Sequence, residues 1–130
     1  MEEIVQDAME HSDREQKAKQ DKDVSQFGEP RIVIVGCGGA GNNTVNRLHN
    51  IGVEGADTVA INTDKQHLEM SSADRKILVG RDLTRGLGAG GQPEKGARSA
   101  EENRAELRNL FKDADMVFLT AGMGGGTGTG

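Results

Sequence analysis

The sequence predicts an α/β fold built on a parallel sheet, and three features of its 130 residues support that class. Short apolar runs bounded by glycine alternate with helical stretches from Arg31 onward, which is typical of βαβ units. The first run, residues 32–35, is continuously β-branched, which indicates a strand buried on both faces. Fourteen of the nineteen glycines fall in three loops, residues 36–41, 86–91 and 122–130.

The predicted elements are, in order, a strand over residues 32–35, a helix over 42–51, a strand over 58–61, a short helix over 65–70, a strand over 76–79, a longer helix over 93–111 and a strand over 116–119. Val45, Leu48 and Ile51 share one side of the first helix, and Gly52 is its C-terminal stop. Pro93 suits the first turn of the longer helix. The buried stripe of that helix comprises Ala97, Ala100, Leu107, Leu110 and Phe111.

The order of the strands in space follows from the crossovers between them. Parallel strands joined by right-handed crossovers, with the buried first strand at the centre, have the order 3-2-1-4. This is the first half of a Rossmann-like sheet, in which ligands bind at the carboxyl ends of the strands.

Residues 1–30 are predicted to form an acidic, polar and disordered tail, because they hold nine acidic and four basic side chains and little apolar surface. Ile4, Val5, Ala8 and Met9 have helical spacing, so a docked helix or partner motif is the alternative. Pro30 marks the boundary with the domain that follows. The net charge of −5 belongs to the tail, because residues 31–130 carry twelve side chains of each sign.

Composition argues against several classes of function. A neutral domain has no electrostatic footprint for nucleic acid, so DNA and RNA are not expected partners. The apolar runs are far shorter than the roughly 20 residues that cross a bilayer, and the N-terminus lacks a secretory signal. The single cysteine, Cys37, forms no internal disulfide, which fits the cytoplasm.

With 34% hydrophobic and 2% aromatic residues, the core is expected to be thin and aliphatic.

The first glycine cluster, Gly36-Cys-Gly-Gly-Ala-Gly-Asn-Asn43, connects the first strand to the first helix. Without side chains the backbone can turn sharply and bring its N–H groups against an oxyanion, and a helix N-terminus adds about half a positive charge. Phosphate is therefore the expected ligand, and a purely structural turn is the alternative. Gly36, Gly38 and Gly41 also satisfy the dinucleotide pattern Gly-x-Gly-x-x-Gly.

Two further glycine loops are predicted at the same end of the sheet. Residues 122–130 include the hydroxyls of Thr127 and Thr129, and the entropy lost on ordering so many glycines favours an ordering ligand. Residues 86–91 form either a mobile loop that responds to a terminal phosphate or a plain surface loop. Asp64 could accept from a ribose hydroxyl, help to hold a metal through water, or cap the helix that follows it.

The sequence has no Gly-x-x-x-x-Gly-Lys-[Ser/Thr] motif, so it is not a P-loop NTPase. Phosphate charge is then met by backbone N–H groups, hydroxyls and Mg²⁺ rather than by a loop lysine. His11, His49 and His67 lack ligand spacing to one another or to Cys37, so no metal site made of protein side chains is predicted. Cys37 is expected to pack as a small side chain beside the turn.

Four motifs carry a resemblance to a known family: Gly36-Cys-Gly-Gly-Ala-Gly-Asn-Asn43, Asn62-Thr-Asp64, Gly86-Leu-Gly-Ala-Gly-Gly-Gln-Pro93 and Gly124-Gly-Gly-Thr-Gly-Thr-Gly130. In this order, on alternating strands and helices, they closely resemble the GTPase domain of the tubulin/FtsZ family over residues 31–130. The last motif looks like the glycine-rich signature of that family, which is far more specific than Gly-x-Gly-x-x-Gly.

The resemblance implies a cytoplasmic cell-division protein that binds GTP and GDP, with Mg²⁺, and assembles head to tail into filaments. Such filaments form a ring at the mid-cell division site, where accessory and membrane-tether proteins are expected partners. They hydrolyse GTP at the subunit junction, where a partner's acidic loop completes the site.

By position, the resemblance assigns Gly38, Gly39, Ala40, Gly41, Asn42 and Asn43 to the α- and β-phosphates, Ala89, Gly90 and Gly91 to the γ-phosphate, and Gly124, Gly125, Gly126, Thr127, Gly128 and Thr129 to the other side of the phosphate tail. Asp64 joins this set through its place at the end of the second strand.

The sequence departs from the family pattern by stopping at Gly130, inside the signature loop. We therefore expect residues 31–130 to be a partial GTP-binding domain that lacks the guanine-reading residues, the acidic catalytic loop and the second domain. We assign no catalytic residue within this range, and we expect residues 31–130 alone to lack GTPase activity. The fourth strand would then be an exposed edge of the sheet.

Two other functions are consistent with the residues alone. The first is an NAD-type Rossmann oxidoreductase module, with Gly36, Gly38 and Gly41 on the pyrophosphate and Asp64, 23 residues beyond the last of them, on the ribose. It does not require the glycine-rich loop at 122–130. The second is a non-catalytic interaction module that acts through the acidic tail or the exposed sheet edge.

Overall fold

A computed structural model of the chain describes Ile4, Val5 and residues 29–130. The chain divides into two units, Met1–Pro30 and Arg31–Gly130. In the first unit Ile4 and Val5 are helical and exposed. Apart from Glu29 and Pro30, the rest of the predicted tail, including Ala8 and Met9 of the helical pattern, lies outside the described residues.

The second unit contains a four-stranded parallel sheet in the order β3-β2-β1-β4, which confirms the predicted order. The strands are β1 (Ile32–Cys37), β2 (Ala56–Asn62), β3 (Arg75–Leu78) and β4 (Met116–Ala121). Cys37 at the end of β1 lies opposite Ile61 of β2 and Ala121 of β4. Three strands therefore end at the same level, and the loops that follow them lie side by side.

Five helices connect the strands: α1 (Gly38–Ile51), α2 (Lys65–Met70), α3 (Arg81–Thr84), α4 (Pro93–Glu102) and α5 (Arg104–Phe111). α1 begins four residues earlier than predicted, because the glycines that follow β1 are its first turn. α3 was not predicted, since a single turn has no periodicity; it lies between Gly80 and Arg85, both in the left-handed conformation. Within the described residues, no helix has the length and hydropathy that crossing a bilayer requires.

The predicted helix over residues 93–111 is wrong in one respect, because it is two helices divided at Asn103. The Asn103 backbone is non-helical, with φ −107° and ψ 21°. Its Oδ1 accepts a hydrogen bond from the Gly80 N–H at 2.9 Å, and its Nδ2 donates to Glu106 Oε1 at 3.1 Å. An asparagine that binds backbone and side-chain groups in this way competes with the regular helical conformation.

The core is aliphatic and small, as the composition predicts. Its main cluster comprises Val33, Val35, Val59, Ile61, Val79 and Leu110, and Val45, Ala60, Leu68 and Ala89 are also buried. Cys37 packs against this cluster, as expected for a small side chain beside the turn. Of the stripe predicted for the longer helix only Leu110 is buried, while Ala97, Ala100, Leu107 and Phe111 are half-buried.

Burial decreases along α1 towards its C-terminus. Val45 is fully buried and Leu48 is half-buried, but Ile51, predicted on the same side, is 80% exposed. Ile51 is the last residue of α1, so the sheet covers only the N-terminal part of the helix. β4 is an outer strand in which Met116, Val117, Phe118 and Leu119 are all exposed, as expected for an open sheet edge.

A buried asparagine joins the start of α1 to the ends of β1 and β2. Asn42 is fully buried, and its Nδ2 donates to the carbonyl oxygens of Gly36 and Ile61 at 2.9 and 3.0 Å. Beside it, α1 approaches the sheet so closely that a Cβ on Gly41 would lie 2.6 Å from the carbonyl oxygen of Thr120. The sheet edge and the first turn of α1 are therefore held in one arrangement.

We predict that Asn42→Ala destabilises the fold. The change leaves two buried carbonyl oxygens without their donor, so we expect the free energy of unfolding to fall by about 2–4 kcal/mol. Urea unfolding of the full-length gene product measures this. Asn50→Ala, on an exposed position of the same helix, is the control and should change stability by less than about 0.5 kcal/mol. Equal stability of the two variants would contradict the role given to Asn42.

Candidate functional site

A cavity of about 430 Å³ lies at the carboxyl end of the strands, between the three glycine-rich loops. The first turn of α1, the end of β2, the segment before α4 and the loop after β4 all contribute to its wall. The lining residues are Gly38, Gly39, Ala40, Asn62, Thr63, Asp64, His67, Leu87, Gly88, Ala89, Gly90, Gly91, Gly122, Met123, Gly125, Gly126, Thr127 and Gly128. Ligands bind at this edge in open α/β sheets.

The first turn of α1 presents backbone N–H groups to the cavity. The helix begins at Gly38, its N-cap residue Cys37 makes no side-chain capping bond, and its first turn holds no acidic residue. The first four N–H groups of a helix have no partner within the helix, and its dipole favours negative charge at that end. With Gly38, Gly39 and Ala40 in the cavity wall, this turn can bind an anion through backbone groups alone.

The loop after β4 packs closely on the loop before α4. A Cβ on Gly126 would lie 2.8 Å from both the Ala89 Cβ and the Gln92 nitrogen, so this contact requires glycine. The Thr127 and Thr63 hydroxyl oxygens are 2.6 Å apart, which joins the loop to the end of β2. Gly130 N donates to Gly126 O at 3.0 Å, the bond of one helical turn. The loop therefore has a defined course along the cavity.

The segment over residues 86–91 is hydrogen-bonded to the end of β2. Gly88 N donates to Thr63 O at 3.2 Å, and Lys65 N donates to Gly86 O at 3.0 Å. Ala89 is buried, whereas no atom lies within 4 Å of an ideal Cβ on Gly90 or Gly91. The base of the segment is thus anchored, and its tip faces open space.

The end of β2 supplies side chains as well as backbone. Asn62 Oδ1 accepts from the backbone N–H groups of Thr63 and Asp64 at 2.8 and 3.2 Å. Asp64 caps α2, because its Oδ1 accepts from the His67 backbone N–H at 3.1 Å. Of the three roles considered for Asp64, capping is confirmed.

Eleven of the sixteen residues predicted for the site line the cavity: Gly38, Gly39, Ala40, Asp64, Ala89, Gly90, Gly91, Gly125, Gly126, Thr127 and Gly128. The other five, Gly41, Asn42, Asn43, Gly124 and Thr129, do not. Gly41 and Asn42 are buried behind the wall, where they hold α1 against the sheet. The Thr129 hydroxyl accepts from the Gly124 N–H at 2.9 Å, so these two residues shape the loop.

Seven lining residues were not among those predicted: Asn62, Thr63, His67, Leu87, Gly88, Gly122 and Met123. Gly88 and Gly122 belong to the glycine clusters, and Asn62 and Thr63 belong to the motif that ends β2, so the sequence did contain a signal for these four. His67 had none, because its place depends on how α2 lies beside α1.

The cavity wall carries little formal charge. Among its lining residues are one carboxylate, Asp64, and one imidazole, His67, but no lysine or arginine. No group of three or more His, Cys, Asp or Glu side chains within the described residues could hold a metal ion. Burial raises the pKa of the nearby Cys37 thiol, which keeps that side chain uncharged. Apart from the His67 imidazole, the groups of the wall that can attract an anion are therefore backbone N–H groups and hydroxyls.

Comparison with known proteins identifies the family to which this chain is similar. The family model of the tubulin/FtsZ GTPase domain matches residues 31–130. The chain is 66% identical over 131 residues to cell division protein FtsZ 2 of Halobacterium salinarum, covering all of this chain and 33% of that protein. It is 61% identical over 127 residues to FtsZ 2 of Methanocaldococcus jannaschii, covering 98% of this chain and 32% of that protein. The chain thus spans about a third of the length of these curated relatives.

Solved structures of proteins from the same family also match this chain. A structure described as an empty FtsZ dimer from M. jannaschii has a TM-score of 0.79 and 54% identity, over 88% of this chain and 33% of that one. CetZ2 from Haloferax volcanii, described as a GTPgS-bound protofilament, has a TM-score of 0.65 and 30% identity, over 75% of this chain and 32% of that one. These matches do not favour the oxidoreductase alternative. The chain belongs to the tubulin/FtsZ family, and residues 31–130 match its GTPase domain.

Proposed function

We propose that this chain binds the phosphates of GTP and GDP in the cavity at the end of its sheet, as part of a filament-forming GTPase of cell division. The observation that carries the proposal is the meeting of three glycine-rich segments around the uncapped first turn of α1. That arrangement suits a ligand with several negative oxygens, because it offers many N–H donors at close range. The family membership supports guanine as the base.

In this proposal the three segments hold different parts of the triphosphate. Gly38, Gly39 and Ala40 bind the α- and β-phosphates at the N-terminus of α1. The tip at Gly90 and Gly91 has open space to approach the γ-phosphate. Thr127 donates its hydroxyl from the opposite wall, where it also contacts Thr63. A cavity of about 430 Å³ is within the range of small-ligand sites.

The residues present fit Mg²⁺ only as a companion of the nucleotide. Mg²⁺ is usually held by one or two carboxylates together with substrate phosphates and water. Asp64 is the one carboxylate of the cavity wall, and its Oδ1 is engaged in capping α2. Asp64 Oδ2 would thus be the side-chain ligand, directly or through water, and the ion would supply charge neutralisation at the phosphates.

For hydrolysis, we propose that these residues bind and orient the phosphates, while groups beyond them activate water. Catalysis of phosphoryl transfer depends mainly on positioning and electrostatic stabilisation. We assign no catalytic residue to the lining set, and propose that an acidic loop of the next subunit completes the site in a head-to-tail filament. The structure of CetZ2 described as a GTPgS-bound protofilament is consistent with nucleotide and filament occurring together.

The proposed setting is the cytoplasm, at the mid-cell division ring. We propose further copies of the same chain as the main partner, with accessory and membrane-tether proteins binding at the ring. The function of cell-division relatives that share 66% and 61% identity with this chain supports this setting.

A nucleotide titration tests the proposed function. We expect the full-length gene product to bind GTP and GDP and not NADH, and to sediment as polymer only with GTP. Fluorescence anisotropy with labelled nucleotides measures binding, and pelleting measures assembly. Tighter binding of NADH than of GTP would restore the oxidoreductase alternative and overturn the proposal.

We predict a graded effect of side-chain size at Gly125. This residue lines the cavity, has no positive φ, and has no atom within 4 Å of an ideal Cβ, so larger residues can be placed there without backbone strain. Gly125→Ala should leave GTP affinity nearly unchanged, whereas Gly125→Leu should weaken it by about tenfold or more by occupying ligand space. Thermal unfolding should show both variants folded. Full affinity of the leucine variant would exclude this loop from the site.

We predict that Thr127→Val weakens GTP and GDP binding about tenfold, because it keeps the shape of the side chain and removes one hydroxyl donor. Isothermal titration calorimetry measures the change. The matched control is Thr44→Val, which removes an exposed hydroxyl that donates to Ala40 O within α1. The assignment fails if both variants bind nucleotide with the same affinity.

A further inference from the structure

A line of three side chains crosses from the buried end of the sheet to the cavity wall. Asn42 is fully buried, Asn62 is 3% exposed, and His67 is half-buried in the wall. Asn62 Nδ2 lies 3.0 Å from Asn42 Oδ1 and 3.2 Å from His67 Nδ1. Both contacts are hydrogen bonds that share the Asn62 amide. Once the donor and acceptor of the bond to Asn42 are known, those of the bond to His67 follow.

The backbone sets the orientation of both asparagines. Two carbonyl oxygens, of Gly36 and Ile61, face one end of the Asn42 amide, so that end is the nitrogen. Two backbone N–H groups, of Thr63 and Asp64, face one end of the Asn62 amide, so that end is the oxygen. The Asn62 nitrogen must then face Asn42 Oδ1 and His67 Nδ1, and it has one hydrogen for each.

This arrangement decides where His67 carries its proton. Since Asn62 donates to Nδ1, that nitrogen must be an acceptor, and the neutral ring holds its hydrogen on Nε2. The Nε2–H then donates to Asn43 Oδ1 at 3.3 Å, on the exposed side of the ring. A bond of that length is weak, so a stronger acceptor can replace it.

The ring lies against the turn that holds the free N–H groups of α1. A Cβ on Gly39 would be 3.2 Å from His67 Cε1, so the imidazole packs directly on the first turn of the helix. His67 is also the one basic side chain among the lining residues, all of which belong to the described part of the chain. Its Nε2–H is therefore a side-chain donor beside a set of backbone donors.

We infer that His67 is a ligand-binding residue of this cavity: its Nε2–H exchanges Asn43 for a phosphate oxygen, and Asn42 and Asn62 hold the proton on that nitrogen. This inference rests on the proposed nucleotide site. It adds a neutral donor to a wall that has no lysine or arginine. A ligand phosphate accepts this bond more strongly than an amide oxygen does, because it is charged.

Two substitutions of His67 test the roles of its two ring nitrogens separately. His67→Asn retains an acceptor near the Nδ1 position and removes the Nε2 donor, whereas His67→Gln retains a donor near Nε2 and removes the Nδ1 acceptor. We expect GTP and GDP affinity of the full-length gene product to fall about tenfold in the asparagine variant and to stay within about threefold of wild type in the glutamine variant. Gln66→Ala, an exposed neighbour on α2, is the control and should bind as wild type.

A spectroscopic measurement tests the proton position without nucleotide. Nitrogen-15 NMR of the nucleotide-free protein should show His67 with the hydrogen on Nε2, and Asn62→Ala should increase the fraction of the ring that carries it on Nδ1. A hydrogen on Nδ1 in the wild type would overturn the inference.

The binding outcomes distinguish this inference from the proposed function. If wild type binds no guanine nucleotide, the proposed function fails and the inference fails with it. If wild type binds GTP but the asparagine and glutamine variants bind equally well, the function stands and His67 is not a ligand-binding residue. Equal losses for guanosine, which has no phosphate, and for GTP would also overturn the inference, because His67 would then act only through the fold.

Discussion

The arrangement of this site depends on one buried amide. Asn42 is enclosed where β1, β2 and the first turn of α1 meet, and both of its nitrogen hydrogens are used by carbonyl oxygens at the ends of the two strands. Its oxygen in turn orients Asn62, which binds the backbone of Thr63 and Asp64. Because a buried polar group without a partner is costly, this network permits a single arrangement of the sheet edge. Through Asn62, the network connects Asn42 to Thr63 and Asp64 in the cavity wall.

The second constraint is steric. At Gly41 and Gly126 the backbone of one segment lies where a side chain would otherwise stand, so segments distant in sequence approach closely. This close packing replaces side chains by backbone N–H groups around the cavity. Such a wall can surround an anion without formal positive charge, which is consistent with the lack of lysine and arginine among the lining residues. It also costs conformational entropy on ordering, which a bound ligand would help to offset.

The second unit has a hydrogen-bond network at the ends of β1 and β2, and it leaves apolar side chains of β4 exposed. Its buried core is a small group of Val, Ile and Leu side chains, while apolar side chains along β4 remain exposed. The chain spans about a third of the length of its curated relatives, and an open β4 edge offers main-chain groups for pairing with a further strand. Stability of the isolated unit should therefore rest heavily on the polar network at the strand ends.

The sequence by itself determined the parallel sheet, its strand order and the three glycine loops. The β-branched runs and glycine clusters are visible within short segments, and right-handed crossovers are common to parallel sheets in general. It also predicted most of the lining residues, since the carboxyl ends of parallel strands meet at one edge. Only the tertiary structure decided the break at Asn103, which depends on a bond to Gly80, and the exposure of Ile51, which depends on where the sheet ends. It alone placed His67 in the cavity and Asn42 behind it, because the contacts of α1 with β2 and α2 join residues 19, 20 and 24 positions apart, beyond the reach of any local pattern.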